Sequence, residues 1–144
     1  MIWHVGIASA ILASGVVGAH AATSCQSLKY ADERSRLQML LSSNNFPRAE
    51  RAFVLTGAER RIREVRPNAL NARGKKCGIN AVRASIFGCM NQTLPSTLRS
   101  VPSPARKTGK TFWGKPNVSA REAAFIGIFH ACRGGAAEAF LSGL

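Results

Sequence analysis

The chain has 144 residues, with 20 Lys and Arg against 7 Asp and Glu, a net charge of +13 at neutral pH. That length fits one domain, and that charge directs the search for partners toward anions. Three His and four Cys leave few groups for metal or nucleophilic chemistry.

The first 21 residues, MIWHVGIASAILASGVVGAHA, contain no Lys, Arg, Asp or Glu. An apolar run from about Val5 to Val17 leads to Ala19-His20-Ala21, the hydrophobic stretch and small-x-small site of a secretory signal peptide. A basic start is missing, and the run is short of the roughly 20 residues a membrane span needs. Cleavage is expected after Ala21, leaving a mature, periplasmic or secreted chain from Ala22 to Leu144 with no transmembrane segment. Lipid attachment at Cys25 is disfavoured, because Ala22-Thr23-Ser24 lacks the branched aliphatic residue such a site carries.

Beyond the signal, apolar residues recur at helical spacing. Tyr30, Leu37 and Leu41, with Leu40 alongside, predict a helix over about 26–42. SSNNFP breaks it. Asn45 is the expected N-cap of a short second helix, with Pro47 in its first turn, ending near Leu55. Thr56-Gly57-Ala58-Glu59 matches a capping box and predicts a new helix to about Arg66, stopped by Pro67. NALNARGKK reads as a loop. Ile79, Val82, Ile86 and Met90 predict a helix over 78–91. Four of the six prolines, at 95, 102, 104 and 116, fall in 92–118, which reads as a long Pro-rich connection. Ser119-Ala120-Arg121-Glu122 is a second capping box. It opens a C-terminal helix with Phe125, Phe129, Cys132, Ala136 and Phe140 on one face, weakened at Gly134-Gly135. The expected fold is all-α: one small domain over 22–144, a disulfide-stapled bundle of about four to five helices.

In a small exported chain an even number of cysteines reads as disulfides. Cys89 shares the Ile79/Val82/Ile86 face and Cys132 the Phe125/Phe129 face, so both point inward and predict Cys89–Cys132. Cys25 and Cys77, at element edges, make the second expected bridge. Cys77, Cys89, His130 and Cys132 match no zinc spacing, and no metal or other cofactor is expected.

Charge is the main functional clue. All 20 basic residues lie in the mature part, and 14 are Arg, whose planar fork grips phosphate or carboxylate through two hydrogen bonds. The first cluster is Arg60, Arg61, Arg63, Arg66, Arg73, Lys75 and Lys76. Ala58, Ile62 and Val65 take the inward arc of their helix, which leaves Arg60, Arg61, Arg63 and Arg66 outward; Glu59 and Arg63 are also spaced to pair along it. The second run is Arg106, Lys107, Lys110 and Lys115 around Phe112 and Trp113, an aromatic pair suited to stacking on bases or entering a lipid interface.

Other chemistries find little support. Gly109-Lys110-Thr111 imitates the end of a phosphate-binding loop, but the position five residues before Gly109 is Pro104 rather than Gly, and Phe112-Trp113-Gly114-Lys115-Pro116 cannot open a helix. No nucleotide site is expected. The mature chain keeps one His, His130, expected to be partly buried; a two-histidine ribonuclease mechanism would need Lys or Arg in place of the second. A wall-cleaving mechanism would fall to Glu122 and Glu138 by default. Asn91 and Asn117 head glycosylation sequons, a weak three-residue signal. The leading expectation is an exported, non-catalytic basic helical protein that binds an anionic partner: envelope lipid, wall polymer, nucleic acid or an acidic protein. An envelope hydrolase (a cell-wall-degrading enzyme or nuclease) and an inhibitor or immunity-type protein that blocks an acidic enzyme remain the alternatives.

Overall fold

The computed structural model describes residues 28–65, 77–102 and 106–136. The signal segment, Cys25, the basic residues Arg66, Arg73, Lys75 and Lys76, and Glu138 and Phe140 lie outside these. The described part is mostly helical, with four α-helices and no strands: α1 (Tyr30–Ser43), α2 (Arg48–Arg63), α3 (Ile79–Arg99) and α4 (Ala120–Ala131), with a π-helical turn at Cys132–Ala136. No described helix is long and apolar enough to cross a membrane.

The apolar stripes converge on one core. Leu37 and Leu41 of α1, Val54, Ala58 and Ile62 of α2, Ile86, Phe87, Met90 and Leu94 of α3, and Phe125 and Phe129 of α4 are buried together. Paired contacts give the directions. Tyr30 meets Phe87, and Asn91 donates to Glu33, so α1 and α3 run parallel. Glu59 of α2 meets Arg34 and Tyr30 of α1, so these two run antiparallel. Ser119 and Arg121 reach Glu50, and Arg133 reaches Glu64, so α4 follows α2 in parallel. The predicted Cys89–Cys132 bridge joins α3 to the end of α4, with Cα atoms 5.7 Å apart and the two residues 43 positions apart in sequence. A crosslink of that span removes about 4 kcal/mol of chain entropy from the unfolded state. Cys77 is also disulfide-bonded; the expected Cys25–Cys77 pairing involves a residue outside the described part.

Three boundaries differ from expectation. Asn45 does not cap α2. It sits at φ 62, while Phe46 N–H donates to Leu41 O at 3.1 Å and Asn45 N–H to Ser42 O at 3.2 Å. This is a Schellman closure of α1, with buried Phe46 and Leu41 as its apolar clasp. Pro47 then takes the N-cap position of α2. The capping box at Thr56 is unused too, because α2 runs unbroken through it: Val54, Leu55, Ala58 and Ile62 hold one buried face across Gly57. Glu59 turns to Arg34, 3.1 Å away on α1, rather than to Arg63. Finally, α3 continues eight residues past its expected end, through Pro95. A proline inside a helix costs about 3 kcal/mol. Leu94 and Leu98 extend the Met90 stripe into the core, and burying two such side chains returns about 3–6 kcal/mol. The Pro-rich connection thus begins near residue 100, not 92.

Candidate cationic interface

The segment from Arg106 to Ser119 is a small hairpin. Thr108 N–H donates to Val118 O (2.9 Å), Val118 N–H to Lys110 O (3.1 Å) and Ala120 N–H to Arg106 O (2.7 Å). At its tip Phe112 and Lys115 exchange both backbone bonds, at 3.1 and 3.0 Å, around Trp113 and Gly114 at φ 51 and 78. Positive φ at both central positions marks the tight turn that suits the twist of a hairpin. Gly109-Lys110-Thr111 lies in one arm, with Gly109 N–H donating to Asn117 Oδ1 at 2.9 Å. It is a structural arm, not a phosphate cradle.

The turn presents Trp113 to the core rather than to solvent. Its indole lies against Gly57, where a Cβ would stand 2.8 Å from the ring carbon Cζ3. The edges of Phe125, Phe129 and His130 surround it at centroid distances of 6.4, 5.4 and 5.9 Å, and Phe53 tilts against it at 6.3 Å. Arg61 lies 4.2 Å over the ring, and its Nη1 donates to Gly57 O at 3.1 Å. Arg61 is therefore half-buried rather than outward, and burial, then the neighbouring charge of Arg60, lower its pKa. Half-buried Phe112 and Trp113 are packed against the core, so the indole that was expected to stack on bases or enter lipid is engaged within the fold. Gly57, placed by its sequence in the expected Thr56–Glu59 capping box, is instead the notch in which Trp113 docks.

Behind the hairpin sits a buried polar hub. The predicted α4 capping box forms: Glu122 N–H donates to Ser119 Oγ (3.1 Å), and Ser119 N–H donates to Glu122 Oε1 (2.9 Å). Ser119 Oγ donates to Glu50 Oε1 at 2.6 Å, and Arg121 holds the other oxygen of Glu50 at 3.3 Å. Lys115 Nζ, 4.9 Å above the Phe53 ring, donates to Glu122 Oε2 at 2.6 Å. Glu122 has no exposed surface, whereas an acid or base must reach the proton it moves. His130, expected partly buried, is exposed, with T-shaped ring contacts to Trp113 and Phe129. Asn91 donates to Glu33, and Asn117 holds the hairpin, so both sequon amides have structural roles.

Ion pairing decides which charges face a partner. Every described glutamate has a cation: Glu33 with Arg36 (2.7 Å), Glu50 with Arg121 (3.3 Å), Glu59 with Arg34 (3.1 Å), Glu64 with Arg133 (3.9 Å) and Glu122 with Lys115 (2.6 Å). Among the described residues, Lys29, Arg48, Arg60, Arg63, Arg99, Arg106, Lys107 and Lys110 are exposed and make no ion pair; Arg60 and Arg63 belong to the first basic run and Arg106, Lys107 and Lys110 to the second. Arg60 and Arg63 stand on the last turn of α2, where the negative end of the helix dipole favours cations. The hairpin cations are not beside them. Arg106 and Lys107 lie at the α4 N-cap, next to Glu50, whose distance along α2 from Arg63 is about 20 Å at 1.5 Å per residue. The two basic runs meet through Arg61 and Trp113, while their exposed charges form separate patches.

Sequence reading missed two arginines at the α2 end. Arg83 Nη2 crosses from α3 to donate to Arg63 O (3.2 Å) and Val65 O (3.3 Å), which satisfies carbonyls that a helix end leaves open. Arg133 arrives beside Glu64 because the Cys132 bridge fixes the chain one residue before it. Arg83 lies within about 60° of Ile79 and Ile86 on the α3 wheel at roughly 100° per residue, so the stripe held a clue to its position. Among the described residues, no group of His, Cys, Asp and Glu could hold a metal ion. The chain matches no family model, no curated protein and no solved structure.

Proposed function

We propose that this is an exported, non-catalytic helical protein whose cationic α2 end binds an anionic polymer or surface. One observation carries the reading: the described glutamates are all engaged, while Arg60 and Arg63, together on the last turn of α2, are exposed and make no ion pair among the described residues. The signal-like start and the disulfides support an oxidising compartment outside the cytoplasm. With Trp113 seated on Gly57, the contact is electrostatic, through phosphate or carboxylate groups, rather than by aromatic insertion. The complete burial of Glu122 under Lys115 and Ser119 supports binding over hydrolysis.

The test is binding of the oxidised protein to duplex DNA and to anionic vesicles, titrated over salt. Replacing both Arg60 and Arg63 with Gln should lower the log–log salt slope by about 2 on DNA, each neutralised phosphate contributing about 0.9. Affinity on any polymer or surface bound at low salt should fall at least about tenfold. Unchanged affinity and slope would remove the α2 end as the site.

A further inference from the structure

A groove of about 210 Å³ opens where α1, the last turns of α2 and the first turn of α3 meet, lined by Tyr30, Glu59, Ile62, Arg63, Asn80 and Arg83. It lies beside the exposed charges assigned above, but its walls differ from a solvated coat. Ile62 is fully buried beneath it. Tyr30 OH donates to Glu59 at 3.4 Å. Arg83 is held by two backbone carbonyls at one Nη, while its buried Nε makes no hydrogen bond within the protein.

We infer that this groove is a subsite for a single phosphate group, with Arg63, Asn80 and Arg83 as its donors. The inference rests on the cationic α2 end being the contact surface, and adds the chemical group that it selects. Arg63 approaches from α2, Asn80 and Arg83 from α3. Donors converging from two helices suit the tetrahedral oxygens of phosphate; a flat carboxylate is satisfied by one guanidinium fork. Arg83 is positioned before any ligand arrives, so little side-chain entropy is lost there on binding.

Glu59 is the group that opposes an anion here. Its carboxylate is held by Arg34 at 3.1 Å and by the Tyr30 hydroxyl, and the surroundings set Arg34, Arg63 and Arg83 against that one carboxylate. The remaining repulsion favours a singly charged phosphodiester over a dianion, and the partly exposed ring of Tyr30 gives the ester carbons an apolar wall.

Backbone amide shifts of the protein, titrated with dimethyl phosphate and with inorganic phosphate at constant ionic strength and with acetate as control, test the subsite. Saturating shifts centred on Ile62, Asn80 and Arg83 are expected with phosphate and not with acetate. Arg63→Gln and Asn80→Ala, both at exposed positions, should each weaken phosphate binding about tenfold, while Arg99→Gln, an exposed cation at the far end of α3 from Asn80, should change it less than about twofold. Tighter binding of the diester supports the site as a receiver of lipid or polymer phosphate; tighter binding of inorganic phosphate supports it as a receiver of the free ion. Scattered, unsaturated shifts, or equal losses in Arg99→Gln and Arg63→Gln, would overturn the subsite and leave the cationic surface standing if DNA or vesicles still bind. Failure of phosphate, DNA and vesicles alike would overturn both.

Discussion

Replacing Gly57 by Ala separates local preference from tertiary fit, because the two push in opposite directions. On an isolated helix the change is favourable by about 1 kcal/mol. Here a Cβ would stand 2.8 Å from Trp113 Cζ3, and the indole has nowhere to retreat. Phe129 bounds it at 5.4 Å, and Arg61 covers it at 4.2 Å. Unseating it gives up edge-on ring contacts and a cation–π contact, each about 0.5–1.5 kcal/mol, so roughly 2–4 kcal/mol in all for a half-buried ring. Gly57→Ala should therefore destabilise the protein by about 1–3 kcal/mol, read by urea unfolding with an unchanged denaturant slope. In a Trp113→Ala background the notch has no occupant, and the same substitution should stabilise by about 1 kcal/mol. The reversal of sign is the diagnostic. If Gly57→Ala acts with the same sign and size in both backgrounds, Trp113 does not dock there, and the hairpin is not anchored as described.

Two further perturbations probe groups around the same helices. Burial first, then the Glu59 carboxylate, push the Tyr30 hydroxyl up from its ordinary 10.0 to about 12. The folded state thus holds this proton more tightly than the unfolded one, so the effect is nil below pH 10 and stability falls as pH rises from about 10 to 12. Partial exposure reduces the loss to about 1–2 kcal/mol; Tyr30→Phe should remove that pH dependence. Tyr30 is the only tyrosine, so a phenolate absorbance midpoint near the ordinary value would refute the shift. Glu122→Gln retains an oxygen for the Ser119 amide but leaves the Lys115 ammonium against Phe53 with no counter-charge. With Lys115 about one-third exposed, a loss of about 2–3 kcal/mol is expected, with polyanion affinity unchanged; wild-type stability in thermal or urea unfolding would contradict the assigned role.

The features legible in the sequence depend on nearby residues and on one chemical rule. The Ser119–Glu122 box formed because its partners lie three residues apart, and the further bonds of Ser119 to Glu50 and of Glu122 to Lys115 leave both capping bonds in place. Cys89 and Cys132 met because each lay on a readable apolar face. The misread positions are those where a distant partner outweighs the local signal. Thr56–Glu59 looks like the start of a new helix until one buried face is seen to run through it from Val54 to Ile62 and Glu59 to be drawn to Arg34 on α1. Pro95 looks like a stop until the burial of Leu94 and Leu98 is set against its cost. Asn45 suits an N-cap and a left-handed C-terminal position equally well, and the 6→1 bond from Phe46 decides between them. Charge followed the same rule. The composition announced a cationic surface, but which cations remain exposed depends on cross-helix pairs such as Arg34–Glu59 and on Trp113 drawing Arg61 inward. Arg83 and Asn80 join Arg63 only because α3 starts where α2 ends. A wheel drawn for one helix cannot show a groove whose donors are divided between two.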